Sequence, residues 1–165
     1  MRQNGYVVRD LDRAIDAWLA LGVGPWFVLP HLTQSGSTYR GSPSDPTVSM
    51  AFANSGDLQV ELITPEDDVP SVYREFLDAG HEGLHHHAWW AEDFGAVAQA
   101  ATAVGWQTAM RGNVNGMADF AYFEVAASVP LVEVMELTDA TRWLESTVRE
   151  AARDWDGTDP LRPLA

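Results

Sequence analysis

The stretch Gly83-Leu84-His85-His86-His87-Ala88-Trp89-Trp90 holds three of the five histidines and runs directly into Glu92-Asp93-Phe94. Apolar and aromatic residues followed by acids and an alanine-rich run read as a strand feeding an α-helix. The same order occurs at the N-terminus, where Gln3-Asn4-Gly5-Tyr6-Val7-Val8 leads through Arg9-Asp10-Leu11-Asp12 into Ala14-Ile15-Asp16-Ala17-Trp18-Leu19. Gln3 then takes the place of His86, Gly5 that of Ala88, and Leu11 that of Phe94. Gly22 takes the place of Gly105, the glycine that closes each helix. The chain reads as a duplicated half-domain.

Worked outward from these two anchors, each half carries the order β-α-β-β-β. In the first (1–65), a strand Gln3–Arg9 and a helix Leu11–Leu21 precede a strand between Gly24-Pro25 and Pro30-His31. Strands Val48–Ala53 and Leu58–Ile63 follow, joined by the turn Asn54-Ser55-Gly56-Asp57. A linker (66–82) carries a short helix, Val72–Leu77. The second half (83–137) gives strand Leu84–Ala91, helix Phe94–Val104, and strands Trp106–Arg111, Phe120–Val125 and Leu131–Leu137. The last segment (138–165) is an amphipathic helix, Ala140–Arg153, and an irregular tail. The expected fold is α+β: two tandem βαβββ modules forming a curved mixed sheet, a cup with helices outside, plus the C-terminal helix.

Composition narrows the function. A length of 165 residues with 46% hydrophobic residues suffices for a buried core. Twenty-four acids face ten basic residues, all arginine, for a formal charge of −14, which argues against nucleic acid and anionic membranes as partners. With no cysteine, any metal must sit on imidazole, carboxylate or amide oxygen. No apolar run reaches 18 residues and no signal-peptide pattern is visible at Met1-Arg2-Gln3, so a cytoplasmic protein is expected.

In Leu58-Gln59-Val60-Glu61-Leu62 and Leu131-Val132-Glu133-Val134-Met135, a lone carboxylate sits inside an otherwise apolar strand, a costly place for a charge that is neither paired nor bound to a cation. Strand alternation sends Val60, Leu62, Val132 and Val134 beneath the helices, together with Tyr6, Val8, Ile15, Leu19 and Val97. It sends Glu61 and Glu133 into the cup. Gln3 and His86 can face the same cup, so four oxygen or nitrogen donors converge. His85 and His87 alternate to the other face, as packing or supporting groups. Glu136, a rival to Glu133, falls on the helix side. Trp90, two residues beyond Ala88, is the best single pocket wall, and Trp26 is a second aromatic candidate.

The duplicated order and these donors resemble the vicinal oxygen chelate superfamily, which includes glyoxalase I, methylmalonyl-CoA epimerase, extradiol dioxygenases and bleomycin-resistance proteins. The resemblance covers Gln3 to about Leu137. It implies one metal ligand on the first and one on the last strand of each module, here Gln3, Glu61, His86 and Glu133, the type of set seen in eukaryotic glyoxalase I. Gly24-Pro25-Trp26-Phe27, Tyr73-Arg74-Glu75-Phe76-Leu77 and Gly83-Leu84-His85-His86 further resemble a bacterial glyoxalase-like branch. The cofactor so implied is a divalent ion (Zn, Ni, Co, Mn or Fe), with Glu133 and Glu61 as the catalytic proton carriers. A homodimer is expected, the cup being completed within one chain or across the pair.

The expected activity is a metal-dependent isomerase, epimerase or lyase acting on a small, mostly apolar carbonyl compound. The alternative is a non-catalytic protein that sequesters an aromatic molecule in the same cup. Extradiol oxidation is disfavoured, because Gln3 stands where a two-histidine, one-carboxylate iron site needs its first histidine. Arg9, Arg40, Arg74 and Arg111 are the only cations near the expected pocket edges. The Ser/Gly-rich stretch 33–46 is about eleven residues longer than its counterpart after Met110 and reads as a lid, with Tyr39 and Arg40 reaching a ligand.

Overall fold

The computed structural model describes residues 1–164; Ala165, the end of the expected tail, lies outside the described residues. β1 (Gln3–Val7) alternates buried Gln3, Gly5 and Val7 with half-buried Asn4 and Tyr6. The Asp10 carboxylate then accepts from the Arg13 N–H and starts α1 (Leu11–Ala20). The chain continues through β2 (Trp26–Thr33), the short strands β3 (Thr38–Tyr39) and β4 (Ser42–Pro43), and the long pair β5 (Thr47–Ser55) and β6 (Leu58–Pro65). Ser71 caps α2 (Val72–Asp78). There follow β7 (Gly83–Ala91), α3 (Phe94–Ala103), β8 (Gln107–Asn113), β9 (Asp119–Glu124) and β10 (Leu131–Glu136), then α4 (Asp139–Ala152) and β11 (Leu161–Pro163).

The strands form one mixed sheet in the order β11-β2-β5-β6-β1-β7-β10-β9-β8-β3-β4, an α+β fold whose curved sheet does not close. Its centre is the antiparallel pair β1 and β7. On either side lies a parallel partner, β6 beside β1 and β10 beside β7. The two sides therefore repeat the same pairing about the centre.

Side-chain alternation divides the core between two faces. Under α1, Ile15, Trp26, Ala51, Ala53, Val60 and Leu62 pack together, and Tyr6 meets Trp18 edge-on at 5.2 Å. Under α3, Phe94 and Ala101 meet Ala121, Phe123 and Val134. The opposite, concave face gathers Met50, Phe52, Ile63, Met110, Phe120 and Tyr122 against Tyr73 and Leu77 of α2 and Val148 of α4. The linker helix and the C-terminal helix thus pack on the inside of the curve. Val97, expected in the core, is 41% exposed, because α3 turns only the narrow Phe94, Ala98 and Ala101 stripe inward.

The stretch 33–46 is not a loose lid. Its β3–β4 hairpin crosses to the far edge of the sheet and pairs with β8, Thr38 opposite Arg111 and Tyr39 opposite Met110. Gly112 makes the approach possible, since a Cβ there would lie 1.9 Å from Ser37 Oγ. Arg40 donates to Glu75 at 2.8 Å and Glu124 at 2.7 Å, tying the hairpin to α2 and β9. The Ser/Gly-rich sequence hides these strands because pairing with β8, rather than intrinsic propensity, makes them extended. Among the described residues, no helix is long and apolar enough to cross a membrane.

Candidate metal centre

Register brings the polar donors together. β1 and β7 pair with Gln3 opposite Ala88 and Gly5 opposite His86. β6 sets Glu61 beside Gly5, and β10 sets Glu133 beside Ala88. Each carboxylate is therefore flanked by a small residue of a central strand, Gly5 or Ala88, which leaves room above it. At Gly5 the room is taken by the imidazole, since a Cβ there would lie 1.8 Å from His86 Cε1.

One ligand atom from each of Glu61, His86 and Glu133 lies within 4.8 Å of the others, and all three residues are buried. His86 Nε2 is 3.3 Å from Glu61 Oε2 and 3.4 Å from Glu133 Oε2. These separations are longer than charge-assisted hydrogen bonds, which run at about 2.7–2.9 Å. They suit neighbouring ligands sharing one cation at about 2.0–2.2 Å each. His86 Nε2, Glu61 Oε2, Glu133 Oε2 and Gln3 Oε1 all lack a hydrogen-bond partner despite complete burial. Buried polar atoms left unpaired are costly, so the three that converge, with Gln3 Oε1 bare on the same cavity wall, form a set of donors that a divalent ion fits.

Charge reinforces the fit. Burial pushes the Glu61 carboxyl up, and the nearby Glu133 charge adds to the rise. Burial alone would depress His86, but the Glu133 and Glu61 carboxylates outweigh it and hold the imidazole at about 9. Two acids thus share one imidazole, and a cation would relieve the excess negative charge.

Two supporting residues stand behind the donors. Gln59 Oε1 accepts from Gln3 Nε2 at 3.0 Å, which turns the Gln3 oxygen away from that bond and leaves it bare. The phase of Gln59 places it on the Glu61 face, and that is the signal that could have found it. His85 was expected on the opposite face. A bulge between Gly5 and Tyr6, opposite Leu84 to His86, leaves it unpaired and lets it join His86 on the concave side. There its ring packs with Tyr73, Phe76 and Tyr122. Burial, with the neighbouring His86 charge, holds His85 well below the usual histidine range.

Gln3, Glu61 and Glu133 form part of the wall of a cavity of about 190 Å³. The remaining wall is mostly apolar: Leu29, Met50, Phe52, Trp90 and Phe120 from the sheet, with Trp143 and Leu144 of α4 closing the open side. Trp90 lines it, whereas Trp26, Tyr39 and Arg40 do not. Trp26 points to the convex side, buried under α1 with its indole N–H donating to Val23 O. Tyr39 and Arg40 are held outside the cavity, where the Tyr39 hydroxyl donates to Glu75 at 2.7 Å. The α4 cover and Gln34, which donates to the Tyr73 hydroxyl, were not foreseen as parts of the site. Their sequence shows only an amphipathic stripe and a loop glutamine.

Residues 2–123 match the family model described as the glyoxalase/bleomycin resistance protein/dioxygenase superfamily. Among curated proteins, no sequence matches the chain. A solved structure of a hypothetical protein from Bacillus halodurans C-125 is similar with a TM-score of 0.62 at 19% identity, covering 84% of this chain and 94% of that one. Methylmalonyl-CoA epimerase from Mycobacterium tuberculosis gives 0.59 at 20%, covering 86% and 89%. A Streptomyces coelicolor methylmalonyl-CoA epimerase in complex with 2-nitronate-propionyl-CoA gives 0.58 at 16%, covering 84% and 94%. At these identities the likeness concerns the fold.

Proposed function

The chain belongs to the glyoxalase/bleomycin resistance protein/dioxygenase superfamily, and from that premise we propose that it is a divalent-metal-dependent isomerase, epimerase or lyase acting on a small, uncharged, mostly apolar carbonyl compound. The observation that carries this reading is the buried Glu61, His86 and Glu133 cluster, with its bare ligand atoms, whose two carboxylates line an apolar cavity. Gln3, Glu61, His86 and Glu133 would hold the ion. When bound, it supplies Lewis-acid stabilisation of the oxyanion that develops as a proton leaves the carbon beside a carbonyl. Glu133 or Glu61 accepts that proton and returns it to carbon. Leu29, Phe52, Phe120 and Leu144 exclude water from the reacting face.

The substrate class follows from size and charge. A cavity of about 190 Å³ is near the ~150 Å³ that accepts benzene. Among the described residues, no arginine lines it. Arg9 is engaged with Leu77 O and Glu82, Arg40 with Glu75 and Glu124, and Arg74 with Asp67 O, while Arg111 faces the cleft beside α3. The phosphates of a CoA ester or the carboxylates of glutathione would meet no cation here.

The test is solvent-deuterium exchange into a panel of small uncharged hydroxyketones and diketones, with zinc, nickel, cobalt, manganese or iron added. Exchange should appear with at least one ion and fall by about 10²–10⁴ in Glu133→Gln. The apolar walls also favour a second reading, sequestration of an aromatic compound without chemistry. That reading gains if exchange fails with every ion while an aromatic ligand still binds Glu61→Ala.

A further inference from the structure

His86 does not stand alone: its Nδ1 lies 3.0 Å from His85 Nδ1, and His85 Nε2 lies 3.3 Å from the carbonyl oxygen of Val72, the first residue of α2. A backbone carbonyl only accepts, so His85 must carry its proton on Nε2. Its Nδ1 is then a bare acceptor, and the 3.0 Å contact requires a proton on His86 Nδ1. In the neutral ring the remaining nitrogen of His86, Nε2, is then left with its lone pair directed at Glu61 and Glu133. We infer that His85 is a positioning residue that relays the polarity of the Val72 carbonyl to His86 and holds it in the Nδ1–H tautomer, the one whose Nε2 can ligate a metal.

This rests on the metal reading of the site for its purpose, but not for its geometry. The relay is needed because the two carboxylates invite the wrong arrangement. Without an acceptor behind it, a neutral His86 would turn its proton to Nε2 and donate to Glu61 or Glu133, blocking the metal-facing lone pair. His85 is well fixed for the task, being 4% exposed and clasped by the Tyr73, Phe76 and Tyr122 rings. The bulge in β7 gains a physical role here, since it puts two successive histidines on one face of the sheet. The linker helix gains one as well: Ser71 caps α2, and the carbonyl that starts the relay belongs to the next residue.

The experiment uses two variants of the full chain, His85→Phe, which keeps an aromatic ring but offers no acceptor, and His85→Gln, whose amide can accept from His86 and donate to Val72. Histidine tautomers are read by long-range proton–nitrogen NMR on metal-free protein at alkaline pH, where His86 is neutral. Zinc affinity is read by chelator competition. Wild type should show Nδ1–H on His86, and His85→Phe should shift the proton to Nε2 and lose about 10–100-fold in zinc affinity. His85→Gln should recover both, which a merely structural role for the ring would not produce. The inference is overturned if wild-type His86 carries its proton on Nε2, a result that needs no variant to fold. It is equally overturned if folded His85→Phe keeps the Nδ1–H tautomer or binds zinc as tightly as wild type. Failure of the wild type to take up any of the five ions would overturn the metal reading instead, while the tautomer measurement still decides the relay.

Discussion

Gly5 shows how one missing side chain builds the centre. A Cβ at this position would lie 1.8 Å from His86 Cε1 and 2.2 Å from Nε2, and the buried ring has nowhere to retreat. Gly5→Ala should therefore cost about 1–3 kcal/mol of stability, the usual range for overpacking. It should also displace the imidazole and abolish zinc uptake. Thermal unfolding and chelator competition check the two effects, and unchanged zinc affinity would refute the close packing. Glu61→Gln should behave in the opposite way. It removes one of two buried carboxylates facing a single imidazole, so the metal-free variant should unfold at or above the wild-type temperature. Saturating zinc at 100 times its Kd stabilises a binding protein by about 2.7 kcal/mol, and most of that gain should vanish in the variant. A lower melting temperature without metal would show that the carboxylate pair is not a source of strain. At this scale the four donor candidates were legible because the repeat sets them at matched positions in strands of clear phase. His85 was not, because a bulge inserts one residue and period-two reasoning then assigns the wrong face.

Arg40 anchors the β3–β4 hairpin to α2 and β9 through Glu75 and Glu124. Sequence separates the long β5–β6 hairpin from its turn without difficulty, since Val48–Ala53 and Leu58–Ile63 carry their own β-propensity. The hairpin within 33–46 offers only Thr38 and Tyr39 between Ser, Gly and Pro residues, and its partner strand lies about seventy residues away in β8. Its length was legible, its destination not. Arg40 is 45% exposed at the side chain, so its bonds to Glu75 and Glu124 work in high dielectric and are open to screening. Arg40→Ala should cost about 1 kcal/mol or less, and the loss should shrink as salt rises. Because Arg40 lies outside the cavity, ligand binding and zinc affinity should stay at wild-type values. Denaturant unfolding at low and high salt, with a binding titration, tests this; a variant that folds normally but loses ligand would restore Arg40 to the site.

The whole molecule closes its concave face with its own C-terminal segment. The family match ends at residue 123, while α4, the element that covers the cavity, begins at Asp139. Val148 of α4 is fully buried among the concave core residues, so the helix is a fixed wall whose packing is continuous with the sheet. Sequence revealed the amphipathic helix Ala140–Arg153 but not the surface it meets, because an amphipathic helix records that one side is buried and not against what. The cover explains the mismatch between a broad curved sheet and a cavity of only about 190 Å³. It also makes substrate size a property of α4 and leaves the metal donors, all on strands, independent of it. Leu144→Trp should therefore fill the cavity and reduce binding of small ligands by at least an order of magnitude, about 1.4 kcal/mol. Zinc affinity and the His86 tautomer should remain as in wild type, and thermal stability should stay within about 1–3 kcal/mol, the span of overpacking costs. Calorimetric titration with the best deuterium-exchange substrate, beside chelator competition for zinc, reads both quantities on the same protein. If Leu144→Trp bound that substrate as well as wild type, the ligand would have to occupy a different part of the concave face, and α4 would be a structural brace without influence on specificity.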